Sequence, residues 1–209
     1  MKKKRIYIIR HGQTDYNLRG VVQGRGINAS LNDIGRKQAE AFFKYYGDEN
    51  FDVILTSTLK RTIESVEGFI DKGIVHEQLD ALDEINWGIF EGKETNYEDK
   101  AFFRNLTTRW ANGETDLAID GGESPFEVAQ RQQKAIEKLK TTSAEKILIS
   151  MHGRALRIFV TQLLNIPLKD MDQFGHHNLC LYELTLEDGS FTLVRENDIT
   201  HLKEILLDA

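Results

Sequence analysis

Five side chains stand where chemistry would need them: Arg10, His11, Arg61, Glu84 and His152. Arg10 and His11 close the short apolar run 6–9 and are followed by Gly12, which lets the backbone turn sharply and keeps side-chain bulk away from an approaching ligand. His152 and Gly153 close a second such run, 146–151. Arg61 follows a third, 51–56, and falls in the first turn of a helix expected over about 59–70. A helix amino terminus favours anions, and an arginine there adds a two-pronged donor for phosphate or carboxylate. Taken singly, Arg-His-Gly is as well explained by a strand that stops in a polar turn. Three strand ends meeting in one crevice would instead make an electropositive pocket in an acidic protein, suited to a phosphoryl or sulfuryl group. No G-x-S-x-G elbow is present, so histidine is the remaining nucleophile, with Glu84 or a neighbouring carboxylate as the acid.

The elements that position these residues must come from 209 residues, 40% hydrophobic, enough to bury a core as one domain over 1–209. The formal charge of -6 (27 basic, 33 acidic residues) argues against nucleic acid or an anionic membrane as the main partner. The basic leader Lys2-Lys3-Lys4-Arg5 reads as a solvated strand edge. Cys180 is the single cysteine, which excludes an intrachain disulfide and a thiolate metal cluster, and its leucine neighbours suggest a small core residue. Charge precedes a strand-length apolar run, unlike a secretory leader, and no run nears the ~18 apolar residues of a membrane span. A reducing cytoplasm is the expected compartment.

Periodicity places the remaining elements. Residues 6–9 read as a buried central strand. The glycine-rich stretch 18–30 reads as a loop after that strand. A helix capped by Asn32 buries Gly35, Ala39, Phe42, Phe43 and Tyr46 and stops at Gly47. Residues 74–76 suit an edge strand, 79–92 a structured loop rich in carboxylates, and 96–110 a helix with a weak pattern. Ser124-Pro125-Phe126-Glu127 is a capping box with proline at N1, predicting a helix with Phe126, Ala129, Gln133, Ile136 and Leu139 inward. A helix over 155–164 follows the 146–151 strand, and 179–186 with 191–195 read as an antiparallel hairpin. The expected fold is α/β in three layers, α/β/α, with a mostly parallel central sheet and a C-terminal antiparallel hairpin.

Six motifs, in order, resemble the histidine phosphatase superfamily, the phosphoglycerate-mutase-like group, over almost the whole chain. They are Arg10-His11-Gly12-Gln13-Thr14-Asp15-Tyr16-Asn17; Leu31 to Gly35 with Gln38-Ala39; Ser57 to Arg61-Thr62; Glu84 to Gly88 with Glu91-Gly92; Gly122-Glu123-Ser124; and His152-Gly153. The resemblance implies a metal-independent phosphomonoesterase acting on small phosphorylated metabolites, without a cofactor. His11 would attack phosphorus and form a phosphohistidine, its other ring nitrogen donating to a backbone carbonyl. Arg10, Arg61 and a cationic His152 would hold the non-bridging oxygens. Glu84 would protonate the leaving oxygen and then activate water. Asn17, Gly153, Gln23, Gly24 and Arg154 complete the expected substrate contacts, and no metal site is implied.

Several alternatives stand beside this reading. Asp83 competes with Glu84 for the acid. Arg154 either reaches the pocket mouth or faces solvent. His76, His176, His177 and His201 read as surface or loop residues, and Trp87 and Trp110 as packing. A cofactor-dependent phosphoglycerate mutase would need a basic cage from the segment after Glu84. Residues 93–123 hold only Lys93, Lys100, Arg104 and Arg109 against seven acidic residues. Two further alternatives are a catalytically silent phosphoryl-binding or interaction protein and a metal-dependent phosphoesterase. The substrates left open are sugar phosphates, fructose-2,6-bisphosphate, phosphoglycerates and α-ribazole phosphate, with 93–120 as the deciding segment.

Overall fold

The computed structural model of the protein describes residues 3–203 and 205; Lys2 of the basic leader lies outside them. In chain order the elements are β1 (Lys4–Arg10), α1 (Asp15–Arg19), α2 (Asp33–Tyr46), β2 (Val53–Thr56), α3 (Lys60–Glu64), α4 (Glu67–Asp71) and β3 (Val75–Gln78). They continue as α5 (Tyr97–Ala111), α6 (Pro125–Thr141), β4 (Lys146–Met151), α7 (Gly153–Leu163), β5 (Leu181–Glu187) and β6 (Ser190–Asp198). One six-stranded sheet runs β3-β2-β4-β1-β5-β6. Its first four strands are parallel, and the β5–β6 hairpin adds two antiparallel strands beside β1. Among the described residues no helix is long and apolar enough to cross a membrane.

The strand period of two assigns alternate side chains of β1 to opposite layers. Ile6 and Ile8 join Leu55, Ile149 and Phe159 in the core under α6 and α7. Tyr7 and Ile9 join Ile54, Leu148, Phe42 and Phe69 in the core under α2 and α4. Both faces of β1 are therefore covered, which is why residues 6–9 are continuously apolar rather than alternating. A third cluster, with Ile85, Leu106, Trp110, Val128, Ile158 and Met171, fastens α5 to α6 and α7. The hairpin turns on Asp188 and Gly189, both at positive φ (48° and 81°), as a tight two-residue connection requires.

Local geometry departs from the sequence-based reading in four places. The helix expected over 59–70 is two short helices, α3 and α4. Between them, Ser65 Oγ donates to Arg61 O at 2.6 Å and accepts from Gly12 N at 2.9 Å, so the junction serves the loop after β1. The inward face of α6 is Val128, Gln132, Ala135, Ile136 and Leu139, while Phe126 and Gln133 are exposed. Gln132 Nε2 donates to Ala155 O at 2.8 Å, and that docking to α7 sets the rotation. Gly47 ends α2 at φ -60°, so no left-handed turn needs it. Of the four histidines read as surface or loop residues, His177 is exposed and His176 lies in a loop, whereas His201 is buried against Phe42 and bonded at 2.8 Å to Leu179 O, and His76, on β3, bonds Thr56 Oγ1 at 2.9 Å.

The loop after β1 passes closest to α2 at Gly35. A Cβ there would lie 2.1 Å from Gln13 O, a backbone atom held by Asn32 N at 3.0 Å. Helix propensity alone would favour alanine by about 1 kcal/mol, but the overlap is with backbone and outweighs it. Gly35→Ala is expected to lower stability by about 1–3 kcal/mol in urea unfolding. A variant as stable as the parent would show that this loop yields freely.

Candidate active site

Strand register explains why residues far apart in sequence converge. Arg10 pairs with Met151 across β1 and β4, and Thr56 pairs with Ser150 across β2 and β4. The next residues therefore emerge together from three adjacent strands, His11 level with His152 and Ser57 one residue below, level with Met151. Backbone bonds extend the ladder there: His11 N to Met151 O at 2.9 Å and Ser57 N to Ser150 O at 3.2 Å. These are the carboxyl ends of parallel strands, where open α/β sheets bind ligands.

His11 is buried, and its Nδ1 lies 2.7 Å from Gly12 O. A carbonyl only accepts, so Nδ1 carries the proton and Nε2 keeps its lone pair. The His152 ring stands 5.2 Å away, centroid to centroid. His152 Nδ1 accepts from Arg61 Nε at 3.1 Å, and its Nε2 faces Ser57 Oγ at 2.7 Å. This places the His152 proton on Nε2 and makes the ring neutral here. Arg61 is fully buried; its Nη1 donates to Ile27 O and its Nη2 to Gly24 O at 3.2 Å. Gly24 thus positions Arg61 through its carbonyl, and a Cβ on Gly24 would meet Glu91 Oε1 at 2.0 Å.

Burial comes first among the causes that hold the His11 and His152 pKa values well below the ordinary 6.5, followed by the adjacent guanidiniums. The same burial lowers Arg10, and brings Arg61 down to about 10. Cys180 sits buried off the site with its thiol pushed up to about 11 by burial, consistent with a core residue.

Above this layer opens a cavity of about 490 Å³. Arg10, Asn17, Gln23, Glu84, Gly153 and Arg154 line it, while His11, Arg61, His152 and Gly24 lie outside its lining. Arg10 Nε is buried with no hydrogen-bond partner among the described residues, a donor at the cavity wall ready for an acceptor. Glu84 Oε1 accepts from Ala155 N at 2.8 Å and Oε2 from Arg154 N at 3.1 Å, in the first turn of α7. Asp83 turns away, to Thr58 N at 2.9 Å and Arg25 Nε at 3.1 Å. Asn17 Oδ1 caps α1 by accepting from Thr14 N at 3.1 Å, and Gln23 accepts from Thr14 Oγ1 at 3.1 Å. Arg154 reaches the cavity, but its guanidinium also pairs with Asp172.

Four participants were not read from the sequence. His176 lines the cavity and its Nδ1 accepts from Arg10 Nη1 at 3.2 Å. Asn178 Nδ2 donates to His11 O at 3.0 Å. Trp87 lines the cavity as well as stacking on Trp110 at 6.1 Å. Arg131, from α6, donates to Ala81 O at 2.9 Å, Asp83 O at 2.9 Å and Glu84 O at 3.0 Å, fixing the segment that carries Glu84. Its partner is Glu123, at 3.0 Å. A Gly-Glu-Ser turn before a capped helix was the available signal for Glu123; nothing in local spacing marked Arg131 or the pair His176 and Asn178.

Comparison with known proteins gives a consistent picture. The family model for the histidine phosphatase superfamily (branch 1) matches residues 6–199. The chain is 26% identical over 206 residues to fructose-2,6-bisphosphatase TIGAR B of Danio rerio, covering 96% of this chain and 75% of that one. It is 25% identical over 207 residues to phosphoserine phosphatase 1 of Hydrogenobacter thermophilus, covering 98% and 97%. Among solved structures, a mycobacterial glucosyl-3-phosphoglycerate phosphatase complexed with VO3 shares the fold, with a TM-score of 0.83, 24% identity, and coverage of 93% and 98%. Motif order, sheet topology and a family match spanning nearly the whole length agree: the chain belongs to the histidine phosphatase superfamily, branch 1.

Proposed function

We propose that the protein is a phosphomonoesterase in which His11 is the nucleophile and Glu84 the general acid and base. The carrying observation is the His11 imidazole, fixed by Gly12 O in the tautomer that leaves Nε2 free, in a layer with two guanidiniums. The Nε2 lone pair attacks phosphorus; the ester P–O bond breaks and the leaving oxygen takes a proton from the Glu84 carboxyl group. Glu84, now a carboxylate, removes a proton from water, whose oxygen displaces His11 and releases phosphate. Arg10, Arg61 and His152 stabilise the charge spread over the non-bridging oxygens. His152 is neutral while its Nδ1 accepts from Arg61; a bound dianion would take the place of Arg61 at Nδ1 and favour the cationic form. Asn17, Gln23, Gly153 and Arg154 contact substrate, and Gly24 acts through Arg61. The protein works as one catalytic domain over residues 1–209, on small phosphorylated metabolites in the reducing cytoplasm, without nucleic-acid or membrane partners.

Three outcomes are expected. His11→Ala should lower phosphate release from 4-nitrophenyl phosphate by at least about 10³-fold, and rapid quench of the parent should trap an acid-labile phosphoryl group on His11. Undiminished turnover would remove His11 as nucleophile. Supplied with 3-phosphoglycerate and catalytic 2,3-bisphosphoglycerate, the enzyme should form no 2-phosphoglycerate, and any turnover should appear as released phosphate. Efficient interconversion would favour a mutase, although from residues 93–123 only Thr95 and Phe103 reach the cavity and neither is basic.

The third concerns pH. Folded His11 and His152 have pKa values below the 6.5 of an unfolded chain. Below that pH the unfolded chain binds more protons, so stability falls on acidification and is insensitive to these groups above it. Urea unfolding should show a loss of up to about 1.4 kcal/mol per pH unit for each histidine below pH 6.5. A flat profile between pH 6.5 and 5 would mean that the histidines are not held neutral.

A further inference from the structure

Besides Arg10 and Glu84 the cavity lining holds five largely apolar residues, Tyr16, Val21, Val22, Trp87 and Phe103, and the rings of Trp87 and Phe103 meet as an aromatic wall. Phe103 meets Trp87 edge-on at 5.5 Å, and Phe90 backs Phe103 at 5.0 Å. Trp87 in turn stacks on Trp110, which is buried and donates from Nε1 to Leu117 O at 2.9 Å. The ring positions are thus set by packing before any ligand arrives. The aliphatic part is equally held: Val22 N donates to Lys93 O at 3.1 Å and Gly92 N to Val22 O at 2.9 Å.

The charges facing this wall offer little to a second anion. Among the described residues Arg154 is the one cationic lining residue besides Arg10, and its guanidinium pairs with Asp172 and lies over the face of Trp110 at 5.4 Å. Asp172 is shared with Arg157 at 2.5 Å. His176 is held neutral, its pKa brought down to about 3 by burial and by Arg10, Arg157 and Arg154. Gln23, Thr95 and Asn178 are uncharged, and Glu84 places a carboxyl group on the lining. A phosphorylated carboxylic acid would bring its second charge to a region whose spare cation is already paired.

We propose that the leaving group is uncharged and carries a planar apolar face that packs on Trp87 and Phe103, so that the substrates are monophosphate esters of aryl or arylalkyl alcohols. This rests on the phosphomonoesterase reading for the chemistry, and on the wall alone for the choice of leaving group.

The test separates the two. Calorimetry with the full chain would compare 3-phenylpropylphosphonate with 2-amino-4-phosphonobutyrate, non-hydrolysable counterparts of 2-phenylethyl phosphate and phosphoserine. The arylalkyl phosphonate should bind at least about tenfold tighter, and Phe103→Ser should reduce that ratio by about tenfold. Equal binding, or tighter binding of the amino acid phosphonate, overturns the proposal; so does a ratio unchanged in Phe103→Ser when circular dichroism shows the variant folded. Phosphate release from 2-phenylethyl phosphate and phosphoserine, two alkyl esters, is measured in parallel. A binding preference without release from either ester sustains recognition of an uncharged aryl group by the aromatic wall and sinks the hydrolase reading. Release from both esters without a binding preference does the reverse.

Discussion

Two guanidiniums and two imidazoles can share one buried layer only if the imidazoles stay neutral. That constraint governs much of the surrounding structure. Carbonyl oxygens of Gly24 and Ile27 take the Arg61 protons, and His152 Nδ1 takes another. Each contact stabilises the guanidinium without adding a second carboxylate to its immediate shell, which would weaken attraction for an anion. Glu84 is kept apart, bound to backbone N–H groups at the start of α7. A pocket with this composition attracts an anion, and Arg10 Nε, buried and without a hydrogen-bond partner among the described residues, is a donor available to it.

The scaffold that permits this arrangement is the sheet register. Side chains on β1 are buried on both faces, so a slip of one residue would exchange its two cores. Fixing the register fixes the levels of His11, His152 and Ser57 together. The loop after β1 is then clamped from several sides: Ser65 holds Gly12 N, Gln38 holds Gln13 N at 2.9 Å, and Asn178 holds His11 O. Leu179, next in sequence, has a positive φ of 53° and is retained by bonds from its N–H to Arg10 O and from His201 to its carbonyl. These bonds offset a backbone conformation unfavourable to leucine, next to Asn178 and its bond to His11 O.

Much of this was legible in the sequence because it depends on local signals. Buried parallel strands appear as continuous apolar runs, so residues 6–9, 51–56 and 146–151 could be placed, together with the histidines and arginine at or just beyond their ends. The capping box at Ser124 marked the start of α6. The rotation of α6 was not legible, since it depends on Gln132 meeting α7, a contact between surfaces 23 residues apart. His176 was missed for a related reason: its partner Arg10 is 166 residues away, and a histidine pair in a loop carries no periodic mark. Trp87 was read as packing and does pack, but one edge of the same ring also faces the cavity. The break between α3 and α4 likewise comes from a hydroxyl serving a distant loop.

Arg131 has a consequence for how such enzymes can diversify. It donates from α6 to the backbone carbonyls of Ala81, Asp83 and Glu84, while Ile85, next in the chain, packs in one cluster with Leu106 and Trp110 of α5 and Val128 of α6. The segment that carries Glu84 and the helix that carries Phe103 therefore share a support. A substitution that shifts α5 is felt at Glu84, so change in the aromatic lining and change in the placing of that carboxyl group are coupled.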